Sequence, residues 1–397
     1  MNIVADESIP LVNELFGRFG ELHLMPGRAI SAADVRDADA LLIRSVTRVE
    51  SSMIAASTLR FVGSATIGTD HVDIAALQAH QISFANAPGC NANAVVEYVL
   101  ASLLVLAQRE RFCPGQDVIG ILGYGNVGRR LAAKLDALHW PWRVCDPPLA
   151  EQLANQPDAV AMSAPQWCSV AELLECEVLT LHVPLKKSGA HPTWYWLNPV
   201  TLAQTHARVI INSCRGAVVD NDALLAWLGA QTHRSAVLDV WETEPDVGAE
   251  LLQRVDLATP HIAGYSLEGK CNGSFRVFEA FCRHFGFDPA SAAQWQLPPA
   301  GQGKLPADHA EAVLLQQLLG CYDPRRDDSV MRAALADATD RSAAFDRLRK
   351  QYPERRELLS WQFAAAADVA MRYRALATFI SDPHVKSKQH SRSARAS

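Results

Sequence analysis

Gly120-Ile121-Leu122-Gly123-Tyr124-Gly125-Asn126-Val127-Gly128-Arg129-Arg130 joins the end of an apolar run, Val118 to Leu122, to glycines spaced G-x-G-x-x-G. Val127, Leu131 and Leu135 follow at helical spacing. The stretch therefore reads as strand, tight turn and helix, and each glycine has a physical task. Gly123 permits the turn, Gly125 removes a side chain where a pyrophosphate would approach, and Gly128 lets helix and strand pack closely. The N–H groups of Asn126, Val127 and Gly128 open the helix, where an anion is favoured. A plain strand-to-helix corner would show similar glycines, so the next strand matters. Trp142 to Cys145 is apolar and ends on Asp146, eighteen residues beyond Gly128. A carboxylate there accepts hydrogen bonds from the ribose hydroxyls of NAD and repels the extra phosphate of NADP.

Outward from this motif, apolar runs alternate with helical patterns. Runs at Val178 to His182, Val209 to Asn212 and Ala236 to Val240, with helices such as Val170 to Leu174 and Asp222 to Ala230 between, predict a doubly wound parallel sheet. Upstream, Met1 to Ala5, Leu22 to Met25, Ala40 to Ser45 and Arg60 to Ala65 predict a second, smaller α/β layer, with helices at Pro10 to Phe19 and Ala33 to Ala38. Ala94 to Gln108 is apolar nearly all round, as a buried helix is, and lies where a hinge between two α/β units would fall. Ligands gather at the carboxyl ends of strands in such sheets. Arg44, Ser45, Thr47 and Arg48 follow one strand there, and Ser64, Thr66, Gly68 and Thr69 follow another.

The 397 residues suffice for two or three domains. Composition is 49% hydrophobic and 20% charged, with a formal net charge of -6, which points away from nucleic-acid and membrane-surface partners. Neither a signal peptide nor a membrane span is visible. Nine cysteines lack metal-like spacing, so no metal site is expected, and they read as reduced thiols of a cytoplasmic protein.

Three polar positions close late runs: Arg215 after Ile210 to Cys214, Glu244 after Ala236 to Thr243, and His261 after Leu257 to Pro260. Oxidation of a hydroxy acid needs a cation for the carboxylate, a base for the hydroxyl proton and an acid group to orient that base. Arg215, His261 and Glu244 supply these types. Taken singly, they also read as a surface arginine, a turn acid and a loop histidine.

With the glycine motif and Asp146, this order resembles the D-isomer-specific 2-hydroxyacid dehydrogenases. Arg44-Ser45-Val46-Thr47, Gly68 to Asp73, Ala87 to Ala92, Cys214 to Asn221 and His261 to Lys270 narrow the resemblance to a branch acting on a phosphorylated hydroxy acid. The tail patterns Tyr322 to Asp328, Phe345 to Tyr352 and Arg355-Arg356-Glu357, foreign to the wider family, belong to that branch. The resemblance implies two Rossmann-like doubly wound parallel-sheet domains with a hinge, plus a small C-terminal α+β dimerisation domain. The expected limits are 1–95 for a substrate lobe completed by about 265–288, 96–264 for the NAD-binding domain and 289–380 for the dimerisation domain; basic, Ser-rich 381–397 would be a disordered tail. Residue by residue, the resemblance makes Arg215, Glu244 and His261 catalytic, Asp146, Asp239 and Gly264 contacts to NAD, and Ser45, Thr66 and Tyr265 contacts to substrate. Arg44 is a phosphate candidate by position and charge. Tyr124 and Val183 depart from the pattern, and Lys186 to Trp196 is given no role. The rival readings are another D-2-hydroxyacid dehydrogenase, such as one acting on 3-phosphoglycerate, and a non-catalytic NAD-sensing protein.

Overall fold

A computed structural model describes residues 1–154, 166–292, 297, 300–304 and 318–364. The expected disordered tail, 381–397, lies outside the described residues. The chain forms two compact units. One holds Met1–Ala94, Tyr265–Pro298 and Glu354–Arg356; the other holds Val95–Gly264, Pro299–Pro353 and the chain from Glu357 onward.

The first unit is built on five parallel strands, β1 (Asn2–Asp6), β2 (Glu21–Met25), β3 (Ala40–Ile43), β4 (Phe61–Ser64) and β5 (Ser83–Ala85), in the order β2-β1-β3-β4-β5. Val4 lies opposite His23 on one side and Leu41 on the other. Alternation splits the side chains between two cores. Ile3, Ala5, Leu42 and Phe61 face the helix Leu267–Phe285, whose Phe278 and Phe281 meet Phe16 edge-on at 5.5 and 5.3 Å. Val4, Leu41, Ile43 and Val62 fill the other core with Val35 and Leu77. Burying each such side chain is worth about 1.5–3 kcal/mol. That helix is capped by Ser266, whose hydroxyl accepts from Gly269 N, and it ends at Gly286 in the left-handed region.

Two local expectations change here. Ala33 to Ala38 is a run of turns rather than a helix. The Asp34 carboxylate accepts from the Ser31 backbone and hydroxyl at 2.8 and 2.6 Å, and three-residue turns follow. Asp here competes with helical hydrogen bonding. The short strand β5 had no signal of its own, because only three residues, Ser83 to Ala85, pair with β4.

The second unit is built on six parallel strands, β6 (Ile119–Leu122), β7 (Trp142–Cys145), β8 (Val178–Leu181), β9 (Val209–Asn212), β10 (Ser235–Leu238) and β11 (Leu257–Ala258). Their order is β11-β10-β9-β8-β6-β7. Beyond β7 a single parallel bridge, Val144 to Trp167, occupies the place of one more strand. The strand order thus reverses at β6, between β7 and β8, and the crevice above such a reversal is where α/β sheets bind nucleotides.

The tail packs onto this same unit. Helix Pro324–Ala336 places Met331 and Leu335 in the core shared with Leu251, Leu252 and Ala258. Asp328 accepts from Ala258 N at 2.8 Å, so a buried acid pairs an edge N–H of β11. Arg332 donates to the Val255 carbonyl at 2.8 Å. Lys134 is buried within the electrostatic reach of Glu97 and Glu357; burial pulls its ammonium down to about 8, while both carboxylates oppose the fall. A parallel pair, β12 (Gly301–Lys304) and β13 (Trp361–Ala364), forms the third sheet. No helix among the described residues is long and apolar enough to cross a membrane.

Candidate active site

Within the second unit, the glycine turn sits at the end of β6. Gly123 has φ +95°, and a Cβ there would stand 2.6 Å from the His182 carbonyl oxygen. Only glycine meets both demands. A Cβ on Gly128 would lie 2.0 Å from the Gly123 carbonyl oxygen, so helix Gly128–Leu138 rests directly on the turn. A Cβ on Gly125 would meet nothing within 4 Å. The motif thus divides as its spacing implies: one glycine for the turn, one for contact and one facing open space. Val127 provides no side-chain cap, and the first turn of the helix begins beside that space. This arrangement fits a pyrophosphate, since the N–H groups that a capping side chain would have taken remain for an anion.

Asp146 ends β7. Its carboxylate accepts from Tyr124 N at 2.8 Å and from Leu149 N at 3.1 Å. These bonds tie the acid to the glycine turn and leave acceptor capacity on both oxygens for hydroxyl donors. Tyr124, the departure from the usual small residue, turns its ring toward Trp142 and Trp167. The substitution is therefore accommodated by aromatic packing. His182, just after β8, is half-buried and bonded to Thr180 at 2.9 Å, and desolvation pulls it down to about 3.

Arg215, Glu244 and His261 follow β9, β10 and β11. These strands are consecutive in the sheet, so their carboxyl ends are neighbours. His261 Nδ1 lies 2.8 Å from Glu244 Oε2, and the other carboxylate oxygen accepts from Trp241 N at 2.8 Å. The side chains are 32% and 20% exposed, enough for a substrate to reach the ring while the acid stays sheltered. Burial alone would raise the Glu244 carboxyl. The nearby His261 charge and hydrogen bond, the Trp241 amide and Arg349 outweigh it and hold the group below the usual carboxylate range. Arg215 donates to the Cys214 carbonyl at 2.8 Å, and its own carbonyl accepts from Asn212 Nδ2 at 3.0 Å.

His261 has φ +59°, rare for a residue with a side chain. Asp239 accounts for it. This carboxylate is 1% exposed and accepts from Thr259 Oγ1 at 2.6 Å, Ile262 N at 2.8 Å and Ala263 N at 2.9 Å. Its own backbone carbonyl accepts from His261 N at 2.7 Å. Four bonds over-determine the bend and aim the imidazole. Burial raises the Asp239 carboxyl, though these bonds and His261 oppose the rise. The family resemblance implies a contact from Asp239 to NAD; in the structure its carboxylate also shapes this loop. Gly264 closes the same loop. The unassigned Lys186 to Trp196 stretch is a buttress: Tyr195 N bonds the Ala217 carbonyl at 2.9 Å, and the Tyr195 hydroxyl donates to Glu242 in the loop that carries Glu244.

The four substrate candidates belong to the first unit. Arg44 Nε donates to buried Asp6 Oδ2 at 3.0 Å, which fixes the guanidinium. Ser45 is exposed beside it in sequence. Thr66 Oγ1 lies 2.9 Å from Ser64 Oγ, which in turn is 3.3 Å from His71 Nε2. Burial holds His71 below its ordinary range. Tyr265 offers its ring face to Lys270, whose Nζ is 5.2 Å from the centroid. Lys270 is itself lowered, by burial first and then by the like charge of Arg44. Lys270 carries no signal of its own in the sequence; its closeness to Arg44 appears only in space.

Residues 109–263 match the family model described as D-isomer specific 2-hydroxyacid dehydrogenase, NAD binding domain, and residues 298–374 match a domain of unknown function, DUF3410. An erythronate-4-phosphate dehydrogenase from Marinobacter nauticus is 45% identical over 367 residues, covering 91% of this chain and 94% of the relative. One from Azotobacter vinelandii is 46% identical over 366 residues, covering 90% and 93%. Among solved structures, an NAD-dependent formate dehydrogenase from Staphylococcus aureus in complex with NAD has a TM-score of 0.57 at 23% identity, over 72% of this chain and 96% of that one. An NAD-bound 3-phosphoglycerate dehydrogenase from Entamoeba histolytica has a TM-score of 0.58 at 23% identity, over 72% and 95%. These last two share the fold.

Proposed function

This chain belongs to the erythronate-4-phosphate dehydrogenases, within the D-isomer-specific 2-hydroxyacid dehydrogenase family, and from that premise we propose that it oxidises 4-phospho-D-erythronate to 3-hydroxy-2-oxo-4-phosphooxybutanoate on the route to pyridoxal 5'-phosphate. The observation that carries the reading is the Glu244–His261 pair at 2.8 Å beside the strand end that bears Arg215. NAD, when bound, would supply the acceptor for the hydride that leaves C2. Arg215 pairs with the substrate carboxylate through its fork of donors. His261 takes the C2 hydroxyl proton, and Glu244 orients the ring and stabilises the imidazolium. Asp146 would hold the adenosine ribose, the turn from Gly123 to Gly128 would hold the pyrophosphate, and Asp239 and Gly264 would be further contacts to NAD. Ser45, Thr66 and Tyr265 contact substrate, and Arg44 takes its phosphate.

The deciding experiment measures NADH formation by the purified protein with 4-phosphoerythronate, 3-phosphoglycerate and D-lactate. A 2-oxo acid acceptor is added in a parallel assay in case bound NADH leaves slowly. Preference for 4-phosphoerythronate supports the reading; preference for 3-phosphoglycerate keeps the chemistry and discards the substrate.

Two substitutions test the binding roles. Asp146→Ala is expected to shift the NAD-to-NADP ratio of kcat/KM toward NADP by about tenfold or more, since one good charge interaction is worth about 1.4 kcal/mol. An unchanged ratio would remove Asp146 from cofactor choice. Arg44→Ala is expected to raise KM for 4-phosphoerythronate by about tenfold while leaving a hydroxy acid without phosphate little affected. Equal effects on both would assign the phosphate elsewhere.

The protein works in the cytoplasm, a reading supported by nine cysteines that form no disulfide. It forms a homodimer through its C-terminal region, a reading supported by the family-specific tail. Sedimentation equilibrium is expected to give twice the chain mass for the full protein, and a monomer at micromolar concentration would refute the dimer.

A further inference from the structure

The tail has a charged helix, Arg341–Lys350, whose sequence suggests a solvated face. Its placement is different. Phe345 and Ala344 are buried in the same core as Trp241 and Val247, which flank Glu244 in sequence. One turn before Phe345, Arg341 donates to the Val247 carbonyl at 3.1 Å. Arg349 comes one turn after it. Residues 341, 345 and 349 repeat every four positions and so share one helix face. That face is fastened to the 241–247 segment at Arg341 and Phe345. The third position brings a partly buried guanidinium within electrostatic reach of Glu244.

We propose that Arg349 is a positioning residue for the dehydrogenase reaction, a fixed cation supplied by the tail helix to the carboxylate that orients His261. The tail then has a task within its own chain, separate from any role in assembly. Glu244 is largely sheltered, with its side chain 20% exposed, so a nearby positive charge keeps it ionised more effectively than solvent would. An ionised Glu244 in turn holds Nδ1–H and turns Nε2 toward the substrate. The charged groups facing the pair are few. His261 and Arg349 face Glu244, and Asp239 faces His261 from β10. Glu242 and Asp246 flank Glu244 on its own loop, where Glu242 is engaged by Tyr195 and by Asn221 N at 3.1 Å. Arg341 is committed to the Leu335 and Val247 carbonyls. Among the described residues, Arg349 is thus a cation that the tail helix sets against these acids.

The inference rests on the functional reading above for its meaning, but its test does not need the substrate. The imidazole of His261 is followed by NMR titration of full-length protein labelled at histidine, with His261→Gln to identify the signal. Loss of the Arg349 charge leaves the Glu244 carboxylate less compensated, which favours the imidazolium. Arg349→Gln is expected to raise the His261 midpoint by about half a pH unit and to carry the acid limb of kcat/KM the same way, about a threefold loss below that limb. Arg349→Lys is expected to restore both. Arg349→Met, which keeps much of the packed stem, carries the test if the glutamine variant does not fold. An unmoved midpoint in a folded neutral variant would overturn the proposal, however far the rate falls. So would a lysine variant that behaves like the glutamine one. Wild-type protein inactive on 4-phosphoerythronate would instead overturn the substrate assignment and leave this titration standing.

Discussion

His261→Ala is expected to lower kcat by about 10²–10⁴ while NAD binding stays within twofold of wild type. The expectation follows from the placement of the ring. Nδ1 faces Glu244 at 2.8 Å, so donation from Nδ1–H leaves Nε2 as the nitrogen with the lone pair. Only that tautomer can take a hydroxyl proton at Nε2, the nitrogen not engaged by Glu244. Burial of Glu244 would favour its neutral form, but its partners hold the carboxyl below the usual range, so the acid remains charged while His261 cycles. The sign of the linked pH effect follows. A depressed carboxylate contributes stability that is present above its unfolded value and lost as pH falls through its folded value. The Glu244 contribution therefore disappears on the acid side of the ordinary carboxylate range. Rapid-mixing measurement of the chemical step checks the alanine variant directly, because slow product release could mask part of the loss. Near-normal single-turnover rates in His261→Ala would remove the histidine from proton transfer.

Much of this site was legible because its parts obey local rules. The glycines must be glycines for reasons of φ and space at Gly123 and Gly128, and those constraints produce a recognisable spacing. Central strands such as β8 and β9 are buried on both faces and read as unbroken apolar runs. Arg215, Glu244 and His261 could be proposed as a set because each follows such a run, although their nearness depends on the strand order. What the sequence concealed was long-range pairing of polar groups. Asp328 looks like one acid among several in a charged helix, and only its bond to Ala258 N shows it covering a sheet edge. Lys134 looks like a solvated helix residue and is buried near two carboxylates from elements far apart in sequence. Tyr195 and Arg349 lie in segments with no apparent chemistry, yet both bear on the loop of Glu244. Periodicity predicts which face of an element is apolar. It carries no information about which backbone amide a buried charge will meet.

Asp239→Ala is expected to cost the protein without cofactor about 2–4 kcal/mol of stability and to reduce kcat by at least about a hundredfold. The carboxylate is the shared acceptor for Thr259, Ile262 and Ala263. Deleting it leaves buried amide donors without their partner, and each such loss costs about 1–3 kcal/mol. Relief of a buried charge offsets part of this, since burial is the largest influence on this carboxyl and raises it. The amide losses are expected to win because Ile262 N and Ala263 N both lose the charged acceptor they share. The catalytic effect follows from the bend at His261. Its φ of +59° costs energy that the Asp239 bonds repay, and without them the loop relaxes toward ordinary backbone geometry. The imidazole then swings off the line set by Glu244, although no atom of the ring has been changed. Urea denaturation of the cofactor-free protein separates this account from a purely cofactor-binding role. Wild-type stability with only a raised Kd for NAD would make Asp239 a ligand contact alone. A stability loss accompanied by a kcat deficit at saturating NAD would establish that the buried acid shapes the loop that presents the base.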